Sequence, residues 1–312
     1  GGMATRNFML TVTSGTACSG IPGFTLPVGP EVTVGTSPYS VAIGDFNGDG
    51  IQDFVASGGS NSVSIRLGNG SGGFTAVSDV PVGNGPVSVA IGDFNGDGTQ
   101  DFATANVNSH TVSIRLGDGS GGFTSPAVPE VTVGDSPYSP AIGDFNSDGI
   151  PDFVTSNGSG TVSIRIGDGS GGFMPPVVPE VTVGGGTISV AIGDFNGDGN
   201  LDFAAANSTS RVYIRLGNGS GGFTSPAVPE VTVGTQPRSV AIGDFNGDGI
   251  QDFATANMES NNVSIRLGNG SGGFTSPAVP EVAVGIFPYS VAVADFNNDG
   301  FQDITIANNA VS

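Results

Sequence analysis

The sequence predicts an all-β protein assembled from six copies of one unit, each contributing four short strands. Three observations carry that expectation. One marker, D-F-N-x-D-G-x-x-D, begins at Asp45, Asp93, Asp144, Asp194, Asp244 and Asp295, in steps of 48, 51, 50, 50 and 51 residues. A second marker, Leu/Ile-Gly-Asn/Asp-Gly-Ser-Gly-Gly-Phe, ends at Phe74, Phe123, Phe173, Phe223 and Phe274, with a degenerate copy at Pro22-Gly23-Phe24-Thr25. Between the markers, apolar and small residues alternate with period two, as strands do. Composition agrees, since 54 of 312 residues are Gly, and Val, Ile, Thr, Ser, Phe and Asn displace the usual helix formers.

The elements of one unit follow in order. Ser40-Val41-Ala42-Ile43-Gly44-Asp45 puts Val41 and Ile43 on one face and small residues on the other, a first strand. After the Asp-rich loop, residues 52–56 read as the second strand and 63–67 as the third. The fourth is the longer stretch seen in later copies at residues 129–133. Sheets this small cannot bury a face alone, but stacked face to face around an axis they can, which makes a six-bladed β-propeller of four-stranded blades. The small residues of the first strand suit the crowding near such an axis.

Strand counting suggests how the ring closes. Six first and six second strands are present, but only five third strands, and the chain stops at Val311-Ser312 where the sixth should begin. Residues 24–34 look like the missing fourth strand, and Asn7-Phe8-Met9-Leu10-Thr11-Val12-Thr13 could supply the third. The last blade would then be closed by both termini, leaving no open edge. The expected domains are an N-terminal segment, 1–20, and the propeller, 21–312. Residues 4–13 also look like the last strand of a bacterial immunoglobulin-like domain, as in a piece of a larger surface protein. Gly1-Gly2-Met3 lacks the basic and apolar segments of a secretion signal and reads as an expression remnant.

Charge excludes whole classes of function. There are 28 acids against 8 bases, all of them Arg, for a formal net charge of −20 and a pI near 4.1. Such a surface repels nucleic acid. No run of 18 apolar residues is present to insert into a membrane as a helix. Cys18 has no partner for a disulfide.

The Asp-rich loop is the strongest chemical signal. A hard cation such as calcium takes six to eight oxygens, and alternate positions of a tight turn can supply them. In the first copy these are Asp45, Asn47, Asp49, the Ile51 carbonyl and Asp53, with Gly50 permitting the bend. The same sets recur as Asp93, Asn95, Asp97, Thr99 and Asp101; Asp144, Asn146, Asp148, Ile150 and Asp152; and Asp194, Asn196, Asp198, Asn200 and Asp202. The last two are Asp244, Asn246, Asp248, Ile250 and Asp252, then Asp295, Asn297, Asp299, Phe301 and Asp303. An EF-hand is excluded, because its bidentate acid at position 12 is replaced by Ala56, Thr104, Thr155, Ala205, Thr255 and Ile306. With one His and one Cys, zinc lacks its ligands. A bare turn would use the same residue types, but six in phase, each with three carboxylates, repel without a cation. About six calcium ions are expected, one per blade, moving the formal charge from −20 to −8.

Taken together, S-V-A-I-G-D-F-N-G-D-G-I-Q-D-F-A-T-A-N and V-S-I-R-L-G-N-G-S-G-G-F resemble the bacterial FG-GAP or VCBS-type repeat. That repeat is related to the calcium-binding blades of integrin α-subunit propellers and of certain fungal lectins. The resemblance spans roughly residues 21–312 and implies calcium loops between first and second strands. It also implies ligands on the opposite face or in clefts between blades. Ser147, Pro151 and Asn298 depart from the pattern, none at a ligand position, and six blades depart from the seven usual in those relatives.

Variation among the copies concentrates in two loop sets. One joins second and third strands: 58–61, 107–110, 157–160, 208–210 and 258–262. The other enters each blade: 37–39, 85–87, 136–138, 186–188, 236–238 and 287–289. Tyr39, Tyr138, Tyr289 and Arg238 sit there as candidate ligand-binding residues, suited to sugar stacking or a protein contact; packing against the next blade or the adjacent Pro is the other reading. His110 and Glu259 read as solvated loop residues. Arg66, Arg115, Arg165, Arg215 and Arg266 share one position on the third strand, and Asp79, Glu130, Glu180, Glu230 and Glu281 one on the fourth, so cross-strand ion pairs account for both series. A carbohydrate-binding Arg is the alternative. No nucleophile–base arrangement can be composed, and the sequence reads as non-enzymatic. The expectation is a monomeric, secreted or cell-surface binding module within a multidomain chain, with a glycan or a surface protein as partner. A lectin, a structural spacer and a non-catalytic part of a polysaccharide-active enzyme are the alternatives.

Overall fold

A computed structural model of the chain describes residues 32–309. Every regular element among them is a β-strand. In the first sheet β1 (Ser40–Gly44), β2 (Asp53–Ser57) and β3 (Ser62–Gly68) run antiparallel in sequence order. The outer position is shared by two short pieces, β4 (Phe74–Ala76) against one end of β3 and β5 (Val80–Pro81) against the other. Four further sheets repeat this order, with second strands at Asp101–Asn106, Asp152–Asn157, Asp202–Asn207 and Asp252–Asn257. The sixth is a pair, Pro288–Ala294 with Asp303–Asn308.

The single fourth strand expected from sequence is therefore two half-strands. In the second sheet Phe123–Thr124 and Glu130–Thr132 flank the break, which contains Pro126 and Pro129. Proline has no N–H to donate, so a continuous ladder is interrupted there. Its carbonyl still accepts, and Ile114 N–H donates to Pro129 O at 2.8 Å. Ile164 with Pro179, Ile214 with Pro229 and Ile265 with Pro280 repeat the contact.

The described residues divide into two compact units. One runs to Ile188 and includes Asn218–Gly222; the other holds Ser189–Gly217 and the chain from Phe223 on. Within each, one face of a sheet packs on the opposite face of the next. In the first unit Val55, Val63 and Ile65 of sheet 1 meet Val89 and Phe102 of sheet 2. Ala103, Val112 and Ile114 of sheet 2 meet Phe153 of sheet 3. In the second unit Ala204, Val212 and Ile214 of sheet 4 meet Val240 and Phe253 of sheet 5, whose Ala254 and Val263 meet Val291 and Ile306 of sheet 6. Val41 and Ile43, on the face of sheet 1 that no described sheet covers, are 60% and 65% exposed.

The third-strand arginines join consecutive sheets. Arg115 spans from sheet 2 to the Pro81 carbonyl of sheet 1 at 3.0 Å while its NH2 meets Glu130 at 2.8 Å. Arg165 reaches Thr132 O and Arg266 reaches Thr232 O in the same way. Arg66 donates to Thr33 O at 2.8 Å, so Thr33 holds the outer-strand place ahead of sheet 1, although 32–34 form no strand. Phe8–Thr13, residues 24–31 and Val311-Ser312, on which closure by both termini was read, lie outside the described residues, as does the proposed N-terminal segment 1–20.

Candidate metal centres

Each Asp-rich loop lies at the end of its sheet where the first strand passes to the second, beside the Gly-rich hairpin. Its conformation is fixed by its own side chains. Asp45 Oδ1 accepts the N–H of Gly48 and Asp49, and its Oδ2 that of Gly50, at 2.8–3.2 Å. Asn47 Oδ1 accepts Asp49 N–H at 3.1 Å, and Asp49 Oδ1 accepts Ile51 N–H at 2.8 Å. Gly48 and Gly50 stand at φ of 71° and 80°, the left-handed region open to glycine. At the first of these positions the third and sixth loops carry Ser147 and Asn298, at φ of 62° and 59°.

The ninth residue of the loop is placed differently from the other three side chains. Asp53, Asp101, Asp152, Asp202 and Asp252 are buried at the start of the second strand. Asp101 Oδ2 accepts Phe94 N–H at 2.7 Å, and Oδ1 accepts Gly117 N–H at 2.8 Å. One carboxylate thus ties the loop to the end of the third strand. The strand passes so close that a Cβ on Gly117 would collide with the Gln100 carbonyl, which is why glycine holds that position. Burial raises the Asp101 carboxyl to about 6 against the two N–H bonds that lower it, and the neighbouring charges of Asp97 and Asp93 push it further up. Asp152 and Asp202 are raised to about 6 by the same causes, and Asp252 is raised likewise. Asp97 is lowered by the Thr99 N–H and the Asn95 amide, and Asp198 by Asn200 N–H and Asn196.

Calcium fits the donor chemistry of these loops. All side-chain donors are oxygens, with three carboxylates and an amide within nine residues, and the charges of Asp97 and Asp93 add to the raising of Asp101 that burial begins. Each carboxylate oxygen that accepts one N–H keeps a second lone pair. Among the described residues, no three acid, His or Cys side chains converge on one point; the oxygens are held by backbone N–H groups instead.

The Gly-rich hairpin belongs to the same assembly. Gly121 N–H donates to Phe46 O at 3.0 Å, Gly171 to Phe94 O at 3.1 Å and Gly272 to Phe195 O at 2.9 Å, so a hairpin of one sheet seals the loop of the sheet before it. The hairpin phenylalanine sits between two others: Phe123 lies 5.5 Å from Phe46 and 4.9 Å from Phe102. Asn69 Oδ1 accepts Ser71 and Gly73 N–H, so the Asn-Gly-Ser tripeptide is committed to the turn.

Matching to protein families finds the FG-GAP-like repeat at residues 45–104, 93–155, 144–205, 194–255 and 244–306. The chain belongs to the FG-GAP-like repeat family. Each matched stretch runs from one Asp-rich loop into the next, the same register as the repeat read from sequence. Solved structures share the β-propeller fold of this FG-GAP protein. BBS1N in complex with ARL6DN, soaked with lead, aligns with a TM-score of 0.61 and 14% identity over 91% of this chain and 79% of that one. A putative 6-phosphogluconolactonase from Bacteroides fragilis gives 0.60 and 18% over 78% and 70%. A protein from Lactobacillus plantarum gives 0.59 and 11% over 81% and 73%. Identities this low carry the fold and no function. Among the described residues, five complete sheets and two strands of another agree with a count of six blades. No curated protein matches the chain.

At the opposite ends of the sheets, the two variable loop sets of the FG-GAP units are bonded together: Asn108 N–H to Asn84 O, Gly158 N–H to Ser136 O, Met258 N–H to Gln236 O. The candidate ligand residues differ in environment. Tyr138 packs its ring edge 3.2 Å from where a Cβ of Gly158 would stand, and is half-buried. Tyr39 is 60% exposed in a concavity with Val32, Val34 and Pro38. Arg238 lies over the Tyr289 ring, 5.8 Å from its centroid. His110 Nδ1 accepts Ser136 N–H at 2.9 Å. Sequence reasoning missed that Tyr138, Arg238 and Tyr289 are each the extra residue of a β-bulge; the Pro before each was the available signal, because it offers no N–H to regular pairing.

Proposed function

We propose that this FG-GAP protein is a calcium-stabilised, non-catalytic binding module of an extracellular or cell-surface protein, acting in adhesion through its variable loops. The observation that carries the reading is the buried ninth-position carboxylate, raised chiefly by burial and further by the charges of its loop neighbours, and repeated in phase. It is a negative cluster that costs stability until a cation joins it. Asp45, Asn47, Asp49, the Ile51 carbonyl and Asp53, with their counterparts in the other loops, would hold calcium, which supplies charge neutralisation and a rigid turn. Non-catalytic action is supported by the engagement of the one histidine, His110, with Ser136, and by the commitment of the carboxylates to loops and ion pairs. A glycan partner is favoured by the exposed Tyr39 and Tyr289. A glycan array probed in calcium and in EGTA tests this reading. Saturable binding that is lost in EGTA, and on changing Tyr39 and Tyr289 to Ala, supports it. Binding unaffected by either change contradicts it.

A further inference from the structure

Among the described residues the arginines are paired with acids, with one exception. Arg66, Arg115, Arg165, Arg211 and Arg266 each lie within 4.0 Å of an acid, and Arg215 feels Glu230. Among the described residues Arg238 has no carboxylate partner. Its guanidinium meets Gln236 Oε1 at 3.5 Å and the face of Tyr289, and its Nε has no acceptor.

Its surroundings are built rather than incidental. Arg238 and Tyr289 are bulge residues at the starts of the first strands of sheets 5 and 6, and bulges re-aim side chains that a regular ladder would fix. Just before Tyr289, Phe287 adopts φ of 53° with 45% of its surface exposed. The other copies place Ser37, Gly85, Ser136, Gly186 and Gln236 in that left-handed position. A bulky aromatic is strained there and, being exposed, gains little burial in return. The turn between second and third strands of sheet 5 joins both sides. Asn261 Oδ1 accepts Phe287 N–H at 2.8 Å, Met258 N–H donates to Gln236 O at 2.9 Å, and Gln236 Nε2 donates to Glu259 Oε1. Beyond these bonds, no described hydrogen bond engages the Asn261 amide nitrogen, the second Glu259 oxygen or the Tyr289 hydroxyl.

We propose that Arg238, Tyr289 and Phe287 bind a glycan through one acidic sugar, the guanidinium taking its carboxylate and the rings its C–H face. A guanidinium matches a carboxylate in a two-point bond, and an aromatic face accepts the apolar side of a sugar ring. Asn261, Glu259 and the Tyr289 hydroxyl suit the ring hydroxyls. The net charge of −20 favours a ligand with one carboxylate over an acidic peptide, whose run of charges a single Arg would leave unneutralised. The proposal rests on the reading that the variable loops are the ligand-binding end.

Titration of the whole chain in calcium with methyl β-glucuronide and with methyl β-glucoside, followed by NMR, tests it. The glucuronide should bind at least tenfold more tightly than the glucoside, and R238Q should remove that preference. F287G should weaken binding severalfold while raising the melting temperature, a pairing that a merely structural role for Phe287 would not give. Equal binding of the two sugars, no binding of either, an unchanged preference in R238Q, or capture of an acidic peptide instead would each overturn it. The melting response to EGTA, measured on the same samples, separates the two readings. If the response is intact and glucuronide fails to bind, the sugar site is wrong; if the response is absent, the calcium reading is wrong whatever binds at Arg238.

Discussion

Asp152 illustrates how much one side chain does in this repeat. Its two oxygens accept Phe145 N–H and Gly167 N–H, both at 2.8 Å, from a loop and a strand end separated by 22 residues of chain. Asp152→Ala would leave both buried donors unmet, at about 1–3 kcal/mol each, so urea denaturation should show a loss of about 2–5 kcal/mol, with Asp152→Asn milder because one acceptor survives. The raised carboxyls set a pH dependence. For Asp101, Asp152 and Asp202 the folded value of about 6 lies above the unfolded 3.8. Between those values the folded state holds protons that the unfolded chain has released, so stability of the metal-free protein rises as pH falls from about 7 toward 4. Melting in EGTA should therefore move up between pH 7 and pH 5, and in calcium the trend should reverse, because protons then displace a bound cation. Composition and spacing placed a carboxylate at the ninth position of each loop. They did not show that it fastens the loop to the third strand, because its partners are backbone N–H groups that any residue carries.

Elements were legible where side-chain periodicity governs them and opaque where backbone groups do. In the first copy alternation located the first three strands to within a residue or so, because burial demands it; in the later copies the first strand starts two residues sooner, at Pro86, Pro137, Thr187, Pro237 and Pro288, inside stretches read as loops. The outer strand was read as one piece; in the second sheet its break holds Pro126 and Pro129, which lack N–H groups, whereas the first sheet breaks at 77–79 without a proline. The arginine series was read as cross-strand ion pairs, and the pairs to Glu130, Glu180 and Glu281 are present. The larger part of the role escaped, since the acceptors in the preceding sheet are carbonyls 33 or 34 residues away. Arg165→Met should cost about 1–3 kcal/mol, the range for hydrogen bonds from a charged group. Glu180→Gln, which loses only a half-exposed ion pair, should cost under about 1 kcal/mol; paired denaturation curves decide between the latch and the pair. Phe173 stands 5.5 Å from Phe94 and 4.9 Å from Phe153. Phe173→Ala should lose about 3 kcal/mol by opening a cavity between two sheets.

For the molecule as a whole, repetition turns small local terms into large ones. Eighteen carboxylates in six loops dominate a formal charge of −20, and each independent site saturated a hundredfold above its dissociation constant would add about 2.7 kcal/mol. The family and the blade order were readable from the spacing of two markers, because a repeat announces itself at every copy. The proposed sugar site was legible only in part: Arg238 stood out as a departure from the repeat, but the Tyr289 ring it lies over is a neighbour only in space. Isothermal titration of the EGTA-stripped chain with calcium, with the melting temperature followed at each addition, is the direct test. The account requires saturable uptake approaching six ions per chain and a melting temperature that climbs with occupancy. Absence of uptake together with an unmoved melting temperature would contradict it.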